Sequence, residues 1–204
     1  MTELAVLQAV RLKGRVRPAD LAATLNEDLA DVTTIVEQLT AAGLLADGAT
    51  VRITPAGRER LAALLGEERS AVDRAAMAAA YDDFRSVNAD FKSVVTDWQL
   101  KGGPGGTPNT HDDAKYDAAV LTRLDDVHAR VLPIIEVAAA QLPRLSAYSA
   151  KLVVALGKVR DGETAWLTRP LIDSYHTVWF ELHEELISAV GLTRAEAARS
   201  GDAQ

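Results

Sequence analysis

The chain has 204 residues, 48% of them hydrophobic, and a formal net charge of −7. Such a length fits one large or two small domains with a substantial core. There is no cysteine, which excludes disulfides and thiolate metal sites, and no apolar run nears the roughly 18 residues of a membrane span.

Residues 1–13 read as a short amphipathic helix with Leu4, Val6, Leu7 and Val10 near one face, closed by Gly14. Pro18-Ala19-Asp20 opens a second helix, where a proline in the first turn loses no hydrogen bond. Asn26-Glu27-Asp28 forms the turn. Val32, Ile35, Val36 and Leu39 then repeat at helical spacing until Gly43. Leu44-Leu45 enters a strand, Asp47-Gly48 is a hairpin turn signal, and Thr50 to Ile53 alternates as the return strand. Thr54-Pro55 caps the next helix.

The order helix, helix, turn, helix, hairpin, helix resembles the winged helix-turn-helix domains of MarR-, PadR- and ArsR-like bacterial transcription regulators. The residues that carry the resemblance are Leu21-Ala22, Val36-Glu37-Gln38-Leu39 before Gly43-Leu44-Leu45, and Ile53-Thr54-Pro55-Ala56-Gly57-Arg58. The resemblance implies that the third helix enters the major groove of DNA and that the wing touches the backbone or minor groove. It covers roughly the first third of the chain and leaves the rest unrecognised.

Residues 1–65 carry seven bases and eight acids, so any DNA affinity must come from a local patch. Thr33, Thr34 and Gln38 on the third helix are candidates for base edges. Arg15, Arg17, Arg52 and Arg58 are candidates for the phosphate backbone. Glu27, Asp28 and Asp31 oppose phosphates, but acids at a helix start also serve its dipole.

A long coiled-coil-like helix is expected from Gly66 to Leu100. Met77, Phe84, Phe91 and Trp98 recur every seven residues, with Ala80, Val87 and Val94 three positions on. Asp83, Asp90 and Asp97 follow the same period and read as a solvated edge, with pairing to arginines across an interface as the alternative. Residues 101–110 begin KGGPGGTPN and are expected to form a flexible loop. Further helices are expected over 112–141, kinked or divided at Pro133, over 145–159, and from about 170 to 191, with a polar tail at the end. The fold class is therefore mainly α. A winged helix-turn-helix of three helices and a small hairpin occupies 1–65, and an antiparallel helical domain occupies 66–204.

Two candidate sites lie in that domain. Trp98, Tyr175, His176 and Trp179 suggest a pocket for a small effector. Asp125 and His128 repeat the spacing of Asp173 and His176, and two Asp-x-x-His pairs on facing helices suit a mixed carboxylate and imidazole metal site. Nothing in the sequence calls for an organic cofactor or supports an enzyme.

The leading expectation is a cytoplasmic bacterial regulator that binds double-stranded DNA as a homodimer and senses an effector in its helical domain. The first alternative is a protein-interaction module whose winged helix has lost DNA binding and docks on a partner enzyme. The second is a metal-binding helical bundle. No membrane association is expected.

Overall fold

A computed structural model of the chain describes residues 2–199. The expected helix start at Met1 and the polar tail over 200–204 lie outside the described residues. The chain divides into two compact units, residues 1–72 and 73–204. It is mainly helical, with ten helices and two small antiparallel sheets among the described residues.

In the first unit, α1 (Glu3–Lys13) is capped by Thr2, whose hydroxyl accepts from the Ala5 N–H, and stops at Gly14 in a left-handed conformation. Helix α2 (Pro18–Leu25) starts on its proline and ends at Asn26, which tolerates positive φ through its short polar side chain. Helix α3 (Leu29–Ala41) is capped by Asp28, which accepts from the Ala30 N–H at 2.8 Å. Strands β1 (Leu45–Ala46) and β2 (Arg52–Ile53) pair in the register Leu45 with Ile53 and Ala46 with Arg52. An isolated antiparallel bridge joins Val16 to Val51, so the return strand is held on both sides.

Helix α4 (Pro55–Ser70) follows. The Thr54 hydroxyl accepts from the Gly57 N–H at 3.0 Å and donates to the Gly43 carbonyl at 2.7 Å, stitching helix start to hairpin base. Val6, Leu7, Val10, Leu21, Val32, Val36, Leu45, Val51, Leu61 and Leu65 form one buried cluster. Alternation explains the hairpin's share: Leu45, Val51 and Ile53 point inward and Arg52 outward.

Helix α4 continues through Gly66 to Ser70, so the expected long helix from Gly66 is two helices. The division falls where Asp73 caps α5 (Arg74–Gln99), accepting from the N–H groups of Ala75 and Ala76. The predicted seam is buried along its whole length. It packs within its own unit, against α6 (Ala114–Gln141) and α9 (Tyr175–Ala189). The ion pairs Asp90–Arg130 and Asp97–Arg123 show that α5 and α6 run antiparallel. Those two aspartates are thus paired within the chain rather than merely solvated.

Helix α6 is not divided at Pro133. That residue is exposed, where water can take the carbonyl that proline leaves unpaired. The glycine-rich connection is a small hairpin of β3 (Leu100–Lys101) and β4 (Thr107–Pro108). A methyl group at Gly106 would lie 2.0 Å from the Lys101 carbonyl oxygen, so the tight return requires glycine there. A 3-10 turn (Pro143–Ser146) leads into α7 (Ala147–Arg160), and α8 (Ala165–Thr168) precedes α9. Helix α10 (Arg194–Arg199) ends the described chain. None of these helices is long and apolar enough to cross a membrane.

Candidate functional site

The first unit exposes one edge of α3. Asp31, Thr34, Glu37 and Gln38 are exposed and Thr33 is half-buried, while Val32, Val36 and Leu39 face the core. The hydroxyls of Thr33 and Thr34 donate back to the carbonyls of Leu29 and Ala30, at 2.7 and 2.9 Å. Their oxygens can still accept, but their protons are engaged. Gln38 has no such commitment and offers a full amide. Among the acids, Asp28 is spent as the helix cap, whereas Asp31 and Glu37 stand on the exposed edge.

The arginines separate into two groups. Arg17 is bound to Asp20 through two hydrogen bonds of 2.7 and 2.9 Å, which hold the guanidinium pKa up and the carboxyl pKa down. Arg60 is held in the same manner by Glu3. Arg15, Arg52 and Arg58 are exposed and make no ion pair with any described residue. The bridge between Val16 and Val51 brings together the two chain segments that carry Arg15 and Arg52, each next to a bridged residue.

In the second unit the sequence cluster on α9 is largely core. Ser174 caps the helix, and Tyr175 is fully buried with its hydroxyl 3.2 Å from His128 Nδ1. Burial, and then the charge of Asp125, raises the Tyr175 pKa far above the ordinary phenol value. Trp179 stacks on Phe91 at 4.3 Å, and its indole N–H donates to Asn88 Oδ1 at 2.9 Å. His176 and Trp179 line a cleft of about 260 Å³ between α5 and α9, with Asn88, Lys92, Thr96 and Phe180. Trp98 and Tyr175 do not line it. Trp98 is buried under the ring of His111, at 4.4 Å. The expected four-residue effector pocket is therefore half assembled.

No family model matches the chain, and no match was found among curated proteins or solved structures.

The expected metal site is corrected. Asp125 is ion-paired with Arg160 at 2.7 Å, Asp173 lies 3.9 Å from Lys151, His128 meets Tyr175, and His176 packs on Phe91. Among the described residues no three histidine or carboxylate side chains converge to hold a metal. Asp173 lies in the turn ahead of the Ser174 cap and not on α9, so the two pairs do not share a helical geometry, and each of the four side chains has its own neighbour. Burial also holds the pKa of both histidines below the ordinary value; at His128 the charge of Arg160 adds to it, against Asp125.

Three glutamates escaped the sequence reading. Glu181, Glu184 and Glu185 are all buried on α9, at 3, 9 and 3% exposure. Arg144 reaches Glu185 at 2.6 Å and Arg194 reaches Glu184 at 2.7 Å. The Tyr148 hydroxyl also donates to Glu185, at 3.4 Å. Burial first, and then the charges of Glu185 and Glu181, raise the Tyr148 pKa well above the usual phenol value. A signal was present: an apolar helix with glutamates at i, i+3 and i+4 has no polar face left to hold them. The network holds α9 by charge-assisted bonds to α10 and to the turn before α7.

Proposed function

We propose that the first unit is a winged helix-turn-helix that binds duplex DNA, and that the protein is a transcriptional regulator acting as a homodimer. In this reading α2 and α3 are the helix-turn-helix and the β1–β2 hairpin is the wing. Thr34 and Gln38 meet base edges, while Arg15, Arg52 and Arg58 hold phosphates. The observation that supports it most is that Arg15 and Arg52 are both exposed, have no acid partner among the described residues, and lie on two segments joined by the Val16–Val51 bridge. Arg17 drops out of the phosphate set because Asp20 occupies it. The His176–Trp179 cleft is the place for a small effector.

A second reading, a protein-interaction module, draws on Asp31 and Glu37, which put negative charge on the exposed edge of α3. Anisotropy of a labelled duplex from the region upstream of the gene separates the two. The DNA reading expects binding at low salt that weakens about tenfold or more in the double variant Arg15→Ala/Arg52→Ala. Arg17→Ala should change it little. No binding at about 50 mM salt overturns the DNA reading in favour of the module.

A further inference from the structure

We propose that the second unit pairs with another copy of itself by seating Leu171 in an apolar pocket at the far end of the partner's α9. Leu171 is 99% exposed and sits at φ +69°, a left-handed conformation that leucine rarely adopts. Both features are unfavourable in a lone chain. Pro170 stiffens the backbone just before it, and Asp173, 3.9 Å from Lys151, ties the loop to α7 just after it. The loop therefore presents one apolar side chain from a constrained backbone, which lowers the ordering cost of docking.

The complementary hollow measures about 420 Å³ and is lined by Ala78, Tyr81, Val190 and Leu192, with Asp82 and Glu196 at its polar side. It is roomy enough for a leucine side chain, and Leu192 is itself 39% exposed. Charge selects the same occupant. Arg169, two residues from Leu171, is exposed and makes no ion pair with any described residue, and it would meet the carboxylates of Asp82 and Glu196. Both acids already have partners in their own chain, Asp82 in Arg85 at 3.3 Å and Glu196 in the N–H and hydroxyl of Thr193 at 2.7 Å; with two carboxylates and one guanidinium the lining still carries a formal excess of one negative charge.

Placement favours a closed pair. Leu171 lies just before α9 and Val190 just after it, and the 15 residues of that helix span roughly 22 Å. Two copies with antiparallel α9 helices related by a two-fold axis make the contact twice, each giving a leucine and receiving one. The contact lies wholly in the second unit and is independent of whether the first binds DNA.

The test uses the full chain without DNA. Its lack of cysteine makes engineered thiols unambiguous. Light scattering at about 100 µM should give twice the mass of one chain, and Leu171→Asp should raise the dissociation constant at least about tenfold. Leu171→Gly should weaken the pair likewise while raising the Tm of the monomer, because glycine accepts the backbone conformation. Mixing Leu171→Cys with Leu192→Cys under mild oxidation should yield a 171–192 disulfide between chains. A monomeric wild type, a Leu171→Asp variant that dimerises like wild type, or a mixture that links only 171 to 171 would overturn the proposal.

Discussion

A methyl group added at Gly57 would lie 2.1 Å from the Leu44 carbonyl oxygen and 2.9 Å from Ile53 Cγ1. Alanine ordinarily stabilises a helix interior by about 1 kcal/mol over glycine. Here the overlap with backbone should outweigh that gain, because overpacking costs about 1–3 kcal/mol or more. Gly57→Ala is therefore expected to destabilise the first unit by about 2 kcal/mol, read from the urea midpoint; a stabilised variant would show that α4 can move off the hairpin. In the second unit, Asn88→Ala leaves the Trp179 indole N–H buried without its acceptor, and a loss of about 1–3 kcal/mol is expected. Asn88→Asp keeps an acceptor oxygen and should recover part of it. The sequence pointed to Trp179, but not to Asn88, which lies 91 positions away. It pointed to Arg17 as well as Arg15, although Asp20 stands three residues on, within reach at the start of a helix. Residue type and spacing therefore located the arginine-bearing segments, and only the folded neighbours distinguished engaged side chains from free ones.

At the level of elements, periodicity was the most legible signal. The seven-residue seam of α5 is buried at Met77, Ala80, Phe84, Val87, Phe91, Val94 and Trp98. A period states that a face is covered and says nothing about what covers it. The cover here is α6 and α9 of the same chain, so the seam lends no support to a dimer. The helix boundaries were harder to read, because Gly66 lies inside α4 and the break needed the Asp73 cap to be recognised. Helix α9 makes two predictions. Arg144→Ala would leave the buried Glu185 carboxylate without its guanidinium, at a cost of about 3 kcal/mol; Glu185→Gln in the same chain should return much of that loss. The second concerns pH. Partial burial lowers the folded pKa of His128 below 6.5, and the packing of His176 against Phe91 desolvates it and lowers its pKa in the same direction although one side of that ring is exposed. As pH falls through 6.5 the unfolded chain takes up protons there first, so stability is fully present above that value and declines below it. A Tm that falls between about pH 6.5 and 5, and falls less steeply in His128→Gln/His176→Gln, is expected. An identical slope in the double variant would remove these histidines as the cause.

For the whole molecule, charge decides how DNA binding should respond to salt. The chain carries −7 overall, so its long-range field repels DNA, and the proposed binding depends on the local arginines. Above about 0.1 M salt the Debye length is near 10 Å, and the repulsion from distant acids is screened while direct phosphate contacts are not fully lost. Each phosphate neutralised contributes about −0.9 to the slope of log K against log salt. Arg15, Arg52 and Arg58 of one protomer give about −2.7, and the same three on both protomers of a dimer give about −5.4. A slope near the larger value would mean that the β1–β2 hairpins of both protomers sit on the duplex, and Leu171→Asp should reduce it towards the smaller one if dimerisation runs through that contact. A slope near the smaller value in the wild type would mean that a single unit binds alone. A flat dependence, with retained affinity, would be incompatible with phosphate contacts from these arginines and would favour the reading in which the exposed edge of α3 meets a protein partner.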